Sequence, residues 1–318
     1  MTAPTNTFLT GASVGNRESL HDKIWMLDKD EFPIMSAIGS GSAKATYEEW
    51  QTDTLGSASS SNSNLEGDDS SAAAVTATVR VGNRTQILKK VFTISNTQEV
   101  VDKAGRDSEI GYQTAKQGRQ IKMDLETTIC LNQASIAESG ATTRKLGGIP
   151  TWLTSNDSRG SGGSEGGFSS GNTTVATDGT QRAFTETLLQ NVIKLAWDNG
   201  GNPNMVVVGS FNKQAASGFA GIASQYQEAK GKVATIVGAA DRYVSDFGTF
   251  TIVADRYSRT RDALVLDPGM MSLLWLRKFK REELAKSGDA RKFHIVGEVT
   301  LKCHNEAAHG IVADLTTS

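Results

Sequence analysis

The residues of this 318-residue chain that could do chemistry are four histidines, two cysteines and a few clustered acids. His304-Asn305-Glu306-Ala307-Ala308-His309 is the nearest approach to a zinc site. A zinc-protease helix needs two His four residues apart on one face, with Glu directly after the first. Here the His are five apart and the Glu is displaced, so the segment reads as a polar turn between two strands. Gly160-Ser161-Gly162-Gly163-Ser164-Glu165-Gly166 has the glycines of a phosphate cradle but no strand before it, no helix after it and no Gly-Lys-Ser/Thr ending. His21-Asp22 is no general-base pair, because adjacent residues on a helix do not face each other. The acids Glu66, Asp68 and Asp69 lack the full ligand run and closing Glu of a calcium loop and read as a solvated tip. Cys130 and Cys303 carry no CxxC framework and read as reduced, buried thiols. The expectation is a non-enzyme without metal or cofactor.

Composition adds bounds. Lys+Arg number 33 against Asp+Glu 35, a net charge of -2. Near-neutrality gives no electrostatic case for a dedicated DNA or membrane binder. It suits a subunit that lies beside many copies of itself. No stretch approaches the ~20 apolar residues of a membrane span, and Met1-Thr2-Ala3-Pro4-Thr5-Asn6 is no signal peptide. A soluble product made in the cytoplasm is expected.

The elements that must position these residues come next. Residues 1–45 read as an extended arm with a short helix near 18–27 and an apolar clasp, Phe32-Pro33-Ile34-Met35, which packs on a neighbour or on its own domain. Residues 46–95 read as a long two-stranded β-excursion. Tyr47-Glu48-Glu49-Trp50, Val75-Thr76-Ala77-Thr78-Val79-Arg80-Val81 and Lys90-Val91-Phe92-Thr93-Ile94-Ser95 supply the strand signals around a polar run, residues 51–74. An isolated hairpin of this size is marginal in water, so a neighbouring subunit is expected to hold it.

From 106 to 139, Ile110, Thr114, Ile121, Leu125, Ile129 and Ile136 fall on one helical face. Gly140 marks the stop. Residues 155–180, rich in Gly, Ser, Asn and Thr, are expected to form an exposed insertion. Beyond 181, an amphipathic helix over 184–196 and strands at 205–208, 247–254, 263–266, 293–303 and 310–315 predict an α+β body around a mixed sheet.

This order of parts resembles the Hong Kong 97-type (HK97-like) major capsid fold of tailed phages, closest to major head proteins lacking a fused scaffold. The motifs that carry the resemblance are Gly15-Asn16-Arg17-Glu18-Ser19-Leu20-His21-Asp22-Lys23-Ile24, Glu48-Glu49-Trp50, Glu66-Gly67-Asp68, Asn83-Arg84-Thr85-Gln86-Ile87 and Gly147-Gly148-Ile149-Pro150. The last is His304-Asn305-Glu306-Ala307-Ala308-His309-Gly310-Ile311-Val312-Ala313-Asp314-Leu315. It covers nearly the whole chain.

The resemblance implies an N-terminal arm (1–45), an extended loop (46–95) and a peripheral domain with a long spine helix (96–150). A Gly/Ser-rich surface insertion (151–180) and an axial domain (181–284) follow, then a peripheral return strand (285–304) and a C-terminal strand (305–318). It implies a major capsid protein assembling as pentamers and hexamers around double-stranded DNA, read without sequence specificity. Portal, scaffolding and decoration proteins are the implied partners, with assembly in the host cytoplasm and no membrane. Residues 51–74 hold no Lys or Arg, so a shell without covalent cross-links is expected. With no long charged helical segment before the arm, a separate scaffold, or none, is expected. A shell protein of a bacterial nanocompartment and a soluble α+β enzyme or binding protein are the alternatives.

The expected contact between subunits sets Glu66, Asp68 and Asp69 against Arg106, Arg277, Lys278, Lys280 and Arg281 of a neighbour. Trp50 and Phe32 are further contact candidates. Lys116, Arg119 and Lys122 on the long helix form either a solvated face or a surface facing the genome.

Overall fold

The computed structural model describes residues 6–7, 20–27, 31–67, 69, 74–219, 241–286 and 288–318. Its first elements are α1 (Pro33–Ala37), β1 (Gly39–Ser42), β2 (Tyr47–Thr52), β3 (Val79–Arg84), β4 (Gln86–Ser95), α2 (Asn96–Val100) and α3 (Glu109–Cys130). Next come β5 (Asp157–Ser158), β6 (Gly167–Ser169), β7 (Asn172–Thr174), α4 (Glu186–Asp198), β8 (Met205–Val208) and α5 (Ser210–Ser217). The last are β9 (Arg242–Ser245), β10 (Gly248–Ala254), β11 (Ala263–Leu266), β12 (Met271–Glu283), β13 (Ala290–Cys303) and β14 (Gly310–Val312).

Two sheets organise the chain. The first has the order β1-β12-β13-β4, with β13 antiparallel to both neighbours and β1 parallel to β12. Helix α3 packs on it. Ser108 caps the helix by accepting from Gly111 N, while the Glu99 carboxylate accepts from the N–H groups of Glu109 and Ile110. Both satisfy donors that a helix start leaves without partners. Ile121, Leu125 and Ile129 turn inward, each at most 1% exposed. Removing a side chain buried like Leu125 typically costs about 2–5 kcal/mol.

The second sheet is mixed, in the order β5-β14-β11-β8-β10-β9. Every residue of β8 and β11 is buried. Continuous apolar runs are what a strand covered on both faces requires. Met205, Val207, Leu264 and Leu266 face the core shared with α3 and the first sheet. Val206, Val208, Ala263 and Val265 face α4 and α5. One sheet thereby joins both halves of the molecule.

Several expectations are corrected. The long helix ends at Cys130, not near 139, giving a length of about 33 Å at 1.5 Å per residue. Beyond it, Asn132 and Ala176 exchange two hydrogen bonds and Gln133 donates to Leu146 O, so these polar side chains bind distant backbone. Ile136 instead pairs with Lys145 in a tight hairpin, with Gly140 at positive φ in its turn. Residues 20–27 are not helical, and the rest of the expected helix near 18–27 lies outside the described residues.

Among the described residues the excursion pairs β2 with β3 only. Strand β4 is not its partner but the edge of the first sheet. Strand β12, placed in the axial part by the 181–284 boundary, runs along β13 from Met271↔Cys303 to Glu283↔Phe293. The clasp belongs to its own chain: Ile34 is fully buried, and β1 joins the first sheet. Residues 155–180 are no loose insertion. They form β5, β6 and β7, Thr173 is 1% exposed, and Phe168 stacks on Trp152.

Candidate assembly interface

The excursion grows from a firmly held root. Asn83, fully buried, donates to Gly147 O and Leu301 O and accepts from Gly147 N. Thr85 N donates to Thr46 O at 2.9 Å. Outward from there, β2 and β3 pair from Tyr47↔Arg84 to Thr52↔Val79, with Arg84 over the Tyr47 ring and Arg80 on Glu49. Past Thr52 the described residues form no strand until Val79. Leu55, Leu65 and Val75 stand 101%, 82% and 96% exposed there. Their exposure leaves three large apolar side chains of one excursion in water within the single chain.

The residues expected at the contact fall into several environments. Glu66 and Asp69 are exposed at the tip, and Asp68 lies outside the described residues. Arg106 pairs with Glu109 and lies over Tyr112. Arg277 pairs with Glu298 at 3.2 Å and Lys280 with Glu282 at 3.4 Å. Arg281 donates to Thr114 Oγ1 and lies over Phe293. Lys278 is exposed on β12 between them.

Trp50 requires correction as a contact residue. It is 8% exposed, packs on Trp152 with ring centroids 5.5 Å apart, and lies under Lys302. A side chain spent on its own core has little surface left for a neighbour. Phe32 is half-buried against Tyr257. Lys116, Arg119 and Lys122 all sit on α3, Lys116 half-buried and the other two exposed.

Buried acids that the sequence did not single out hold the frame behind this surface. Glu298, 4% exposed, accepts from Thr85 Oγ1 and pairs with both Arg144 and Arg277. It thereby ties the root of the excursion to β13. Glu126, fully buried on α3, accepts from Ile34 N at 2.8 Å and Met35 N at 3.0 Å. Burial pushes its carboxyl up to about 7, and nearby Asp255 adds to the shift. Glu298 was visible only as a charge inside an apolar run, Val296-Gly297-Glu298-Val299, and Glu126 only as a charge beside Leu125 on the inner face of the helix.

The histidine segment folds as a 3-10 turn, Glu306–Ala308, between β13 and β14. His304 Nε2 faces Ser272 Oγ, while His309 Nδ1 accepts from Asp267 N. Burial pushes the His309 imidazole down to about 4, keeping it neutral in the core. Cys130 and Cys303 are both free and buried.

The geometry is thus a covered core with a projecting β-excursion, and comparison with known proteins decides what it serves. The model of the SU10 major capsid protein family matches residues 3–316. The chain belongs to this major capsid protein family. The curated major capsid protein of Escherichia phage Phieco32 is 27% identical, the match covering 98% of this chain and 97% of that protein. Among solved structures, the capsid of a native GTA particle superposes with TM-score 0.62 at 11% identity, covering 96% of this chain and 98% of the other. Microbacterium phage Oxtober96 gives TM-score 0.61 at 10% identity, with 94% and 96% covered. The fold is the Hong Kong 97-type α+β capsid fold, and the protein is a phage major capsid protein, a subunit of the virion shell built from many copies of itself.

Proposed function

We propose that this capsid protein closes the icosahedral head of a tailed phage around double-stranded DNA, as a structural protein and not an enzyme, held by non-covalent contacts. The observation that carries this reading is the excursion between β2 and β3. Its apolar residues Leu55, Leu65 and Val75 are in water within a single chain, so they find cover only between chains. Capsomers would close as pentamers and hexamers through heterologous contacts. With arm and excursion lying over neighbours, the buried area per subunit would far exceed a standard interface of ~1,600 Å².

At the tip, Glu66, Asp68 and Asp69 meet cations of an adjacent subunit. Lys278 is the best-placed candidate, since Arg106, Arg277 and Lys280 already face acids of their own chain. Lys116, Arg119 and Lys122 are the proposed genome-facing residues. The portal, scaffolding and decoration proteins that the resemblance implies, and assembly in the host cytoplasm, belong to the same proposal. The test is sizing of the purified full-length chain with electron microscopy of its large fraction, then denaturing gels of the particles. Closed shells that dissolve to single-subunit bands are expected. A stable monomer would overturn the shell, and a ladder of linked subunits would overturn its non-covalent character.

A further inference from the structure

Strands β6 and β7 pair only with each other among the described residues, with Phe168 opposite Thr173 and Ser169 opposite Asn172. The hairpin they form is fixed to its own subunit, where Thr173 exchanges hydrogen bonds of 2.8 and 2.7 Å with Ser135. Its turn residues, Ser170 and Gly171, are both at positive φ. The hairpin meets the base of the β2–β3 excursion on both faces of that ribbon. On one face, Asn172 Oδ1 accepts from Arg84 Nε at 3.0 Å, and the Arg84 guanidinium lies 4.7 Å from the centre of the Tyr47 ring. A Cβ on Gly171 would stand 3.6 Å from the Tyr47 hydroxyl. On the other face, Phe168 stacks on Trp152, and Trp152 packs on Trp50. Tyr47 and Trp50 are three residues apart on β2, so alternation sends them to opposite faces.

A two-stranded ribbon has little rigidity of its own. The paired stretch from Tyr47 to Thr52 extends about 17 Å at ~3.4 Å per residue, so a tilt of about 10° at its root carries the far end sideways by about 3 Å. An apolar contact needs heavy atoms within about 4.5 Å, so a shift of that size breaks it. Contacts on opposite faces resist tilt in both directions. Glycine at position 82 completes the fit. A Cβ there would stand 2.7 Å from Tyr47 Cζ, so only glycine lets the ring lie across β3, beneath Arg84. Asn172 and Arg84 are both half-buried, and the core of the subunit owes little to their link. We propose that the β6–β7 hairpin is a brace that fixes the direction in which the excursion leaves its subunit, with Asn172, Arg84 and Tyr47 as positioning residues for assembly. The inference rests on the reading above that the excursion meets neighbouring copies. It gives residues 167–174 a part in assembly that needs no contact of their own across the subunit boundary.

The test uses the full-length chain with Asn172→Ala, which removes the acceptor, and Asn172→Asp, which keeps an oxygen there for Arg84. Spin labels on Gln51→Cys in β2 and Lys194→Cys in α4 read the direction of the excursion in the unassembled chain. Both positions are exposed, and both native thiols are buried. The distance between the labels should have one narrow distribution with Asn172 in place, spread in Asn172→Ala and recover in Asn172→Asp, while all three chains melt alike. The yield of closed shells of one size should fall roughly threefold or more in Asn172→Ala, the fold-change of one ordinary hydrogen bond, and recover in Asn172→Asp. An unchanged distance distribution in Asn172→Ala overturns the brace. A spread distribution with normal shells overturns its part in assembly. So does a melting transition that drops in step with shell yield, because Asn172 would then serve the fold alone. If the wild-type chain forms no shells, the shell reading fails, and the distances still decide the brace.

Discussion

Residues 51–74 and 155–180 look alike as sequence, both polar and rich in small residues, yet the structure treats them oppositely. In the second stretch a Cβ at Gly160 would sit 2.0 Å from Thr180 O, and one at Gly166 would sit 2.2 Å from Thr174 O. In the first, a Cβ at Gly56 or Gly67 would meet nothing within 4 Å. The same residue type marks close backbone approach in one place and open space in the other. What differs is the set of buried groups elsewhere in the chain that reach in. Asp314 accepts from Gly160 N and Gly179 N, Ser135 and Thr173 exchange hydrogen bonds, and Asn132 does the same with Ala176. Order in a polar segment is therefore set by anchors outside it. The excursion has its anchors at the root, around Asn83, and the proposed assembly gives its tip to a neighbouring copy.

Removing the strongest anchor should break the comparison most severely. Asp314 is 1% exposed and also pairs with Arg261 at 2.6 Å. Asp314→Ala strands the N–H donors of Gly160 and Gly179 and leaves Arg261 only Asp178 and Gly179 O, which should cost roughly 3–5 kcal/mol in denaturant unfolding, the range for breaking a buried pair. Hydrogen exchange should then rise across residues 160–179 and stay unchanged at the tip. Burial raises the Asp314 pKa, but the N–H groups of Gly160 and Gly179 and the Arg261 guanidinium outweigh it and hold the carboxyl below its usual range. Its contribution is therefore present above the unfolded carboxylate pKa and lost as pH falls through the folded one.

Glu126 performs for the root of the arm what Asp314 performs for residues 160–179, but with the opposite pH sign. Burial lifts its carboxyl to about 7 from 4.5, against the N–H groups of Ile34 and Met35. The folded chain then holds this proton more tightly than the unfolded one. Its contribution to stability grows as pH falls from about 8 toward 4.5, by at most about 3 kcal/mol at ~1.4 kcal/mol per unit. Unfolding of wild type and Glu126→Gln across that range checks it. The difference between them should change with pH, and a constant difference would contradict the assignment.

A smaller loss is expected at Thr173. Thr173→Val keeps the shape but leaves the buried Ser135 N–H without its acceptor, at about 1–3 kcal/mol. Thr173→Ser, which keeps the hydroxyl, should recover most of that in the same unfolding experiment.

These anchors also explain what could be read in advance. Met205-Val206-Val207-Val208 and Ala263-Leu264-Val265-Leu266 announce fully buried strands, and both are strands at those residues. The inner face of α3 was equally plain from Ile121, Leu125 and Ile129. Its end was not, because Asn132 and Ser135 are held by residues some 40 positions away, around Thr173 and Ala176. Strand β12 was illegible for a related reason. Its second half, Arg277-Lys278-Phe279-Lys280-Arg281, has no apolar face of its own and is extended by pairing with β13. For the interface, composition was enough to find an exposed tip. Alternation could not say that Trp50 points into the core, since a period of two names two faces without ranking them.

The weakest effect on the folded subunit should come from the tip itself, and that makes it the sharpest test of the contrast. Glu66 and Asp69 are exposed, so with alanine at Glu66, Asp68 and Asp69 together unfolding of the unassembled chain should move by no more than about 0.5 kcal/mol. Assembly should respond differently. If these acids face Lys278 and its neighbours across a subunit boundary, the variant needs a higher protein concentration to form shells, and the gap from wild type narrows as salt rises, because exposed charge pairs are screened over about 8–10 Å. Sedimentation of assembly reactions over a salt series reads both. Equal assembly at low salt would show that the tip docks through Leu65 and Val75 and not through charge. Residues 51–74 would then differ from 155–180 in being ordered by apolar contacts from another chain, where the other stretch is ordered by polar anchors from its own.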